Sequence, residues 1–133
     1  MALLLVFLAT PAETAKGGQP LKPAVLFLAG KAQVTGDVYP FLVDPKHKAE
    51  LNREGYEVGY CRMFALTWEK LRRFNCVVLT IGPAVGHVPK SVWDKTRALL
   101  LRFVKEGGGL LCFTNLYRGM VAGRLNQLLE PLG

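Results

Sequence analysis

A cysteine close to three glycines is the residue of this 133-residue chain that most resembles a catalytic nucleophile. Cys112 lies in the stretch EGGGLLCFTN (106–115). An elbow-type nucleophile sits at a sharp turn between small residues, whereas Cys112 lies between Leu111 and Phe113. Burial raises the pKa of a thiol and suppresses its reactivity. We therefore predict that Cys112 is an unreactive core residue.

A histidine in a glycine-bearing segment is the second residue suited to chemistry. His87 lies in GPAVGHVPK (82–90), where an imidazole can act as a base or bind a sugar hydroxyl. Asp37 can orient that imidazole or bind a hydroxyl itself, although both residue types are also ordinary in exposed turns. If the chain is a catalyst, we expect Asp37 and His87 to converge with Thr114 or Asn115 in one cleft.

Several common cofactor and metal sites have no counterpart in the sequence. A phosphate-binding P-loop needs GxxxxGK[ST], but Gly36 is followed by Asp37 where a lysine is required, and no GxGxxG occurs. The three cysteines form no CxxC pair, and the two histidines are far apart. Neither a disulfide framework nor a zinc site is indicated. We expect no cofactor and no bound metal.

The charge of the chain is basic but dispersed. The formal net charge is +7, and half of the residues are hydrophobic, which indicates a folded domain with a sizeable core. A nucleic-acid-binding function would depend on this charge alone and would need the Lys and Arg side chains gathered on one face. Because they are scattered along the chain, we expect no specific nucleic-acid binding.

Short apolar runs alternate with helical stretches from Pro23 onward. The predicted strands are 24–30, 56–63, 76–82 and 109–115, and the predicted helices are 44–55, 67–74, 91–108 and 119–133. The first strand is apolar throughout, as a strand buried on both faces would be, and the second is less so, which places it nearer a sheet edge. This alternation predicts a parallel sheet with helices on both faces.

Helix ends are also indicated by particular residues. Thr67 is a predicted N-cap, and Ser91 with Asp94 resembles a capping box. Gly55 and Gly107 are predicted helix stops, with Gly107 in the left-handed region. The next two glycines, 108 and 109, would permit close approach of helix and strand.

Ligands of parallel α/β sheets bind beyond the carboxyl ends of the strands. The candidate ligand-binding residues are therefore those in the loops at that edge. They are Gly30, Asp37, Tyr39, Gly82, His87, Thr114 and Asn115.

The N-terminal residues indicate a separate segment. Residues 1–15 contain the apolar run Leu3–Ala9, which is far too short to span a bilayer and is followed by small residues. We interpret 1–15 as a signal peptide or an apolar arm, although no basic residue precedes the run, and 16–23 as a linker. The domain then covers 24–133. A genuine leader implies export to the periplasm or medium; otherwise the protein is cytoplasmic.

The segments FNCVVLTIG (74–82) and VWDKTRALLLRFVKEGGGLLCFTN (92–115) resemble the class I glutamine amidotransferase-like superfamily, and most closely its ThuA-like branch, which is linked to sugar utilisation. The shared pattern is an apolar strand ending in a glycine-containing loop, a helix of the type L..FV..GGG, and a strand directly after the glycines. The resemblance covers residues 24–133. It implies a three-layer, flavodoxin-like α/β fold, here with about four strands and incomplete at its C-terminus.

The resemblance also bears on function. The amidotransferases carry their catalytic cysteine at a glycine-flanked elbow, and Cys112 does not lie at such an elbow. ThuA-like domains tend to carry a histidine at the position that Thr114 occupies here. We therefore expect a non-catalytic domain with a small-molecule or carbohydrate-related ligand. The alternative is a degenerate hydrolase or amidotransferase-like enzyme using Asp37, His87 and Thr114. The sequence does not indicate an oligomeric state.

Overall fold

Four strands and four helices alternate along the described part of the chain. The structure, a computed structural model, describes residues 23–30, 45–81, 85, 87–114 and 120–133. The strands are β1 Ala24–Ala29, β2 Glu57–Arg62, β3 Cys76–Ile81 and β4 Gly109–Thr114. The helices are α1 Pro45–Arg53, α2 Trp68–Leu71, α3 Lys90–Lys105 and α4 Met120–Leu129, with 3₁₀ turns at Met63–Ala65 and Glu130–Leu132.

The four strands form one parallel sheet in the order β2-β1-β3-β4. Ala24 pairs with Glu57, Val25 with Cys76, and Cys76 with Gly109, so the strands start nearly level. This confirms the predicted three-layer, flavodoxin-like architecture. It also confirms that β2 is an edge strand in the described part of the chain.

One face of the sheet carries the main core. Alternate strand residues pack there against side chains of α2, α3 and α4, as the period of two along a strand requires. The cluster includes Leu26, Leu28, Val77, Leu79, Leu110 and Cys112 from the sheet, and Leu71, Trp93, Leu100, Phe103, Leu125 and Leu128 from the helices.

The other face of the sheet is less deeply covered than the first. Because β1–α1–β2 and β2–α2–β3 run in opposite directions across the sheet, right-handed crossovers place α1 on this second face. None of the nine residues of α1 is buried, and Val25 and Phe27 are only half-buried. β1 is therefore buried on the first face and half-buried on the second, where α1 has few apolar side chains to offer.

Most predicted helix ends are confirmed, but the start of α3 is not. Thr67 caps α2 by accepting a hydrogen bond from Lys70 N (3.3 Å), and Gly55 has φ +93°. At α3 the N-cap is Pro89, which makes no side-chain cap bond. Ser91 is therefore already inside the first turn, and Asp94 instead forms an ion pair with Lys90 (2.6 Å).

The glycines after α3 serve two different purposes. Gly107 has φ +96°, as predicted for a left-handed helix stop. A Cβ at Gly108 would lie 2.3 Å from the ring of Phe103, so only glycine fits without movement of that ring. At Gly109 the nearest atom would be Asn75 O at 3.5 Å, an ordinary contact. The predicted close approach therefore holds at Gly108 and is wrong at Gly109.

Asn75 ties together the amino ends of three strands. Its side-chain Oδ1 accepts a hydrogen bond from Ala24 N (2.7 Å), and its own N–H donates to Ala24 O (2.8 Å). Its carbonyl accepts a hydrogen bond from Gly109 N (2.8 Å). We call this set of three bonds the Asn75 bracket. It aligns β1, β3 and β4 at the edge opposite their carboxyl ends.

Candidate functional site

The carboxyl ends of β1 and β3 flank the point where the strand order reverses. β1 is followed in the chain by β2, which lies on one side of the β1–β3 pair. β3 is followed by β4, which lies on the other side of that pair. Loops that diverge in this way open a crevice above the two strands, which is where parallel α/β sheets bind ligands. Leu28 and Leu79 are the last paired residues beneath this point. Gly30, the residue after β1, is buried there.

Three of the seven predicted site residues lie in the described part of the chain. Gly30 follows β1, His87 is exposed between β3 and α3, and Thr114 is the last residue of β4, paired with Ile81. Gly30 and Thr114 lie at the carboxyl ends of their strands, and His87 follows β3 in the chain. The other four, Asp37, Tyr39, Gly82 and Asn115, lie outside the described residues.

Cys112 lies on the helix-covered face of β4. Only 4% of the residue is exposed, and burial raises the pKa of its thiol from 9.0 to about 12. Its strand partner is Leu79, so it lies within the core cluster. Burial also raises the pKa values of the Cys61 and Cys76 thiols. Near neutral pH all three are protonated, and a protonated thiol is a poor nucleophile.

His87 is presented by a turn with two buried anchors. Val85 and Val88 are 1% and 2% exposed, and Val88 N donates a hydrogen bond to Val85 O (3.2 Å). His87 lies between them with an exposed side chain. The two valines are part of the core cluster, so Val85 and Val88 are held by apolar packing. We call Val85, His87 and Val88 together the His87 turn.

A second turn of the same kind follows β2 and presents an aromatic ring. Met63 and Leu66 are buried, and Leu66 N donates a hydrogen bond to Met63 O (3.2 Å). Phe64, between them, is 48% exposed. Lys70 Nζ donates to Ala65 O (2.9 Å) and fixes the turn from α2. We call residues 63–66 the Phe64 turn.

Phe64 was not among the predicted site residues. Arg62 pairs with Ala29, so the Phe64 turn begins beside the end of β1 and next to Gly30. In the segment MFAL (63–66), Met63 and Leu66 occupy the core, and the ring of Phe64 between them is exposed. β1 lies between β2 and β3 in the sheet, so the strand that ends at Gly30 has neighbours followed in the chain by the Phe64 turn and by the His87 turn.

The described ranges contain no set of residues that could bind a metal ion. No three His, Cys, Asp or Glu side chains lie together there as a metal ion would require. Within the same ranges, every helix is too short or too polar to cross a membrane.

Comparisons with known proteins gave no family. No protein-family model matches the chain, and neither a curated protein nor a solved structure matches it.

Proposed function

We propose that this protein is a non-catalytic α/β domain that binds a small polar ligand at the carboxyl ends of β1 and β3. The observation that carries the proposal is the buried Gly30 at the reversal of strand order, where the neighbouring strands β2 and β3 are followed in the chain by the Phe64 and His87 turns. Ligand sites combine apolar or aromatic surface with a few placed polar groups. This edge of the sheet offers both.

A carbohydrate-related ligand suits the two side chains best. A sugar ring has C–H faces that pack against an aromatic ring, and it has hydroxyl groups that exchange hydrogen bonds with an imidazole. Phe64 supplies the first surface and His87 the second. Gly30, buried at the end of β1, carries no side chain that could fill the crevice above it.

The state of the cysteines argues against acyl transfer by a thiolate. The nucleophile of such a reaction has to be deprotonated and accessible. Cys112 is neither, since it is buried and its pKa is raised to about 12. We propose binding without turnover, and a relation to the amidotransferase-like superfamily in fold only, supported by the helix–GGG–strand segment at 92–115.

The binding experiment is an NMR titration of the full chain with a panel of monosaccharides. The expected result is a set of shift changes at Gly30, Phe64 and His87. Phe64→Ala and His87→Ala should each weaken binding about tenfold, which corresponds to about 1.4 kcal/mol. Tyr56→Ala is the matched control, because Tyr56 is a similarly exposed aromatic residue just before β2, at the opposite edge. Shift changes confined to the Tyr56 edge, or none for any sugar, would contradict the proposal.

We also propose export, supported by the apolar run Leu3–Ala9 and the small residues after it. A fusion of residues 1–23 to a reporter enzyme that is active only outside the cytoplasm tests this. Reporter activity is expected, and activity no greater than that of an unfused reporter would contradict it.

A further inference from the structure

The His87 turn is held from a second helix as well as by its own valines. Arg124, near the start of α4, donates from Nη1 to Val85 O and from Nη2 to Val88 O (2.7 Å). These are the carbonyls of the first and last residues of the turn. One half-buried side chain therefore fixes both ends of the segment that carries His87.

The chemistry of arginine suits this contact. Its planar guanidinium presents several N–H donors in a fixed fork, which a lysine ammonium cannot reproduce. The guanidinium carbon also lies 5.6 Å from the ring centre of Trp93, within the range of a cation–π interaction. Trp93 is buried in α3 and donates from Nε1 to Gln127 Oε1 of α4 (3.2 Å). Arg124 is thus oriented by a rigid contact between the two helices.

We propose that Arg124 is a positioning residue that holds the His87 turn in the conformation presenting the imidazole at the rim of the candidate site. Its importance for ligand binding rests on the function proposed above. The Phe64 turn has a simpler equivalent in Lys70, which donates one hydrogen bond to Ala65 O. Arg124 donates to two carbonyls, so the His87 turn depends more strongly on Arg124 than the Phe64 turn depends on Lys70.

The test compares Arg124→Lys and Arg124→Met with a matched control. Arg97→Lys is the control, because Arg97 Nε also joins α3 to α4 by donating to Gln127 O (2.8 Å) and, among the described residues, makes no hydrogen bond to the His87 turn. The readouts are the hydrogen-exchange rate of the Val88 amide and the ¹⁵N relaxation of Val88 and His87. Amides of β3 report the stability of the whole domain in the same samples.

We expect the Val88 amide to exchange at least about tenfold faster in Arg124→Lys, with Arg124→Met faster still, while β3 amides are unchanged. Arg97→Lys should leave Val88 as it is. Equal protection of Val88 in wild type and Arg124→Lys would overturn the proposal, and so would a loss of protection spread evenly over β3. If Arg124→Met does not fold, Arg124→Lys decides alone, since it keeps the charge and the aliphatic stem.

The monosaccharide titration separates this inference from the proposed function. With a binding sugar, Arg124→Lys and His87→Ala should weaken affinity non-additively, because both act through the imidazole. Additive losses would overturn the positioning role. If no sugar binds the wild type, the proposed function fails, whereas faster Val88 exchange in Arg124→Lys still supports the hold of Arg124 on the turn.

Discussion

Cys112 shows how surroundings decide the chemistry of a single side chain. It follows three glycines, as a nucleophile on a tight turn could, yet its strand places it in the core with Leu79 as its partner. Desolvation favours the neutral thiol over the thiolate, and this is the cause of the raised pKa. A cysteine at the end of β4, two positions after Cys112, would lie outside this core environment, and its thiol would not be subject to the same desolvation.

The raised thiol pKa makes a prediction about alkaline unfolding. The folded state keeps the Cys112 proton up to about pH 12, whereas an unfolded thiol releases it near 9.0. The folded state binds more protons in that interval, so this contribution to stability is complete below pH 9 and is lost as pH rises toward 12. We expect the free energy of unfolding to fall across this range less steeply in Cys112→Ala than in wild type. Parallel slopes in urea titrations would contradict the shift.

Thr96 is a buried residue whose replacement is expected to stabilise the protein. It is fully buried in α3, and its hydroxyl has no hydrogen-bond partner among the described residues. A buried hydroxyl without a partner costs about 1–3 kcal/mol. Thr96→Val removes the hydroxyl at nearly constant shape, so we expect a stabilisation of about 1 kcal/mol in urea unfolding. Thr96→Ser keeps the hydroxyl but loses a methyl group and should destabilise by about 1 kcal/mol. A destabilised Thr96→Val would contradict the absence of a partner.

At the scale of the elements, one glycine after a helix and one within a helix predict opposite effects of the same substitution to alanine. Gly107 ends α3 at φ +96°, where an L-residue is strained by about 1–2 kcal/mol. Gly123 is exposed within α4, and a Cβ there would meet nothing within 4 Å. We expect Gly107→Ala to destabilise by about 1 kcal/mol and Gly123→Ala to stabilise by about 0.5–1 kcal/mol. Thermal unfolding of both variants checks this, and a shift of the same sign in both would contradict it.

The Asn75 bracket predicts a role for an exposed residue. Asn75→Ala removes the acceptor of Ala24 N, whose residue is buried, and we expect a loss of about 1 kcal/mol. Asn75→Asp keeps a side-chain oxygen at the same place and serves as the control. Urea unfolding of the two variants is the measurement. Equal stability of Asn75→Ala and wild type would show that water replaces this bond without cost.

The strands and helices of this chain were largely predictable from residue patterns, because short apolar runs that end near a glycine are typical of buried strands. The strands lie within two residues of the predicted ranges, and Gly55, Thr67 and Gly107 act as expected. The start of α3 was mispredicted, since the turn anchored by Val85 and Val88 places Pro89 at the N-cap ahead of Ser91. The local sequence pattern does not show that Val85 and Val88 pack into the core and so fix where α3 begins.

The candidate site was predictable only to the level of an edge. Parallel strands bring their carboxyl ends together, so Gly30, His87 and Thr114 could be assigned to that edge. The exposure of Phe64 and the hold of Arg124 on the His87 turn both depend on contacts between distant parts of the chain. Neither leaves a periodic signal in the sequence.

For the molecule as a whole, the strand order predicts a gradient of protection. β1 and β3 have paired neighbours on both sides, whereas β2 and β4 have one each within the described part of the chain. Native-state hydrogen exchange should therefore be slowest in β1 and β3, because their amides open only with most of the sheet. Slower exchange in β2 than in β1 would contradict the strand order.

The Asn75 bracket lies at the amino ends of the strands, and the Phe64 and His87 turns lie beyond their carboxyl ends. The residues that align the strands and the residues proposed to bind a ligand are therefore about one strand length apart. Directed evolution of the chain toward new ligands could randomise Phe64 and His87 freely, since neither side chain takes part in aligning the ladder. The same separation leaves Asn75 as a position where such a library should hold the parental residue.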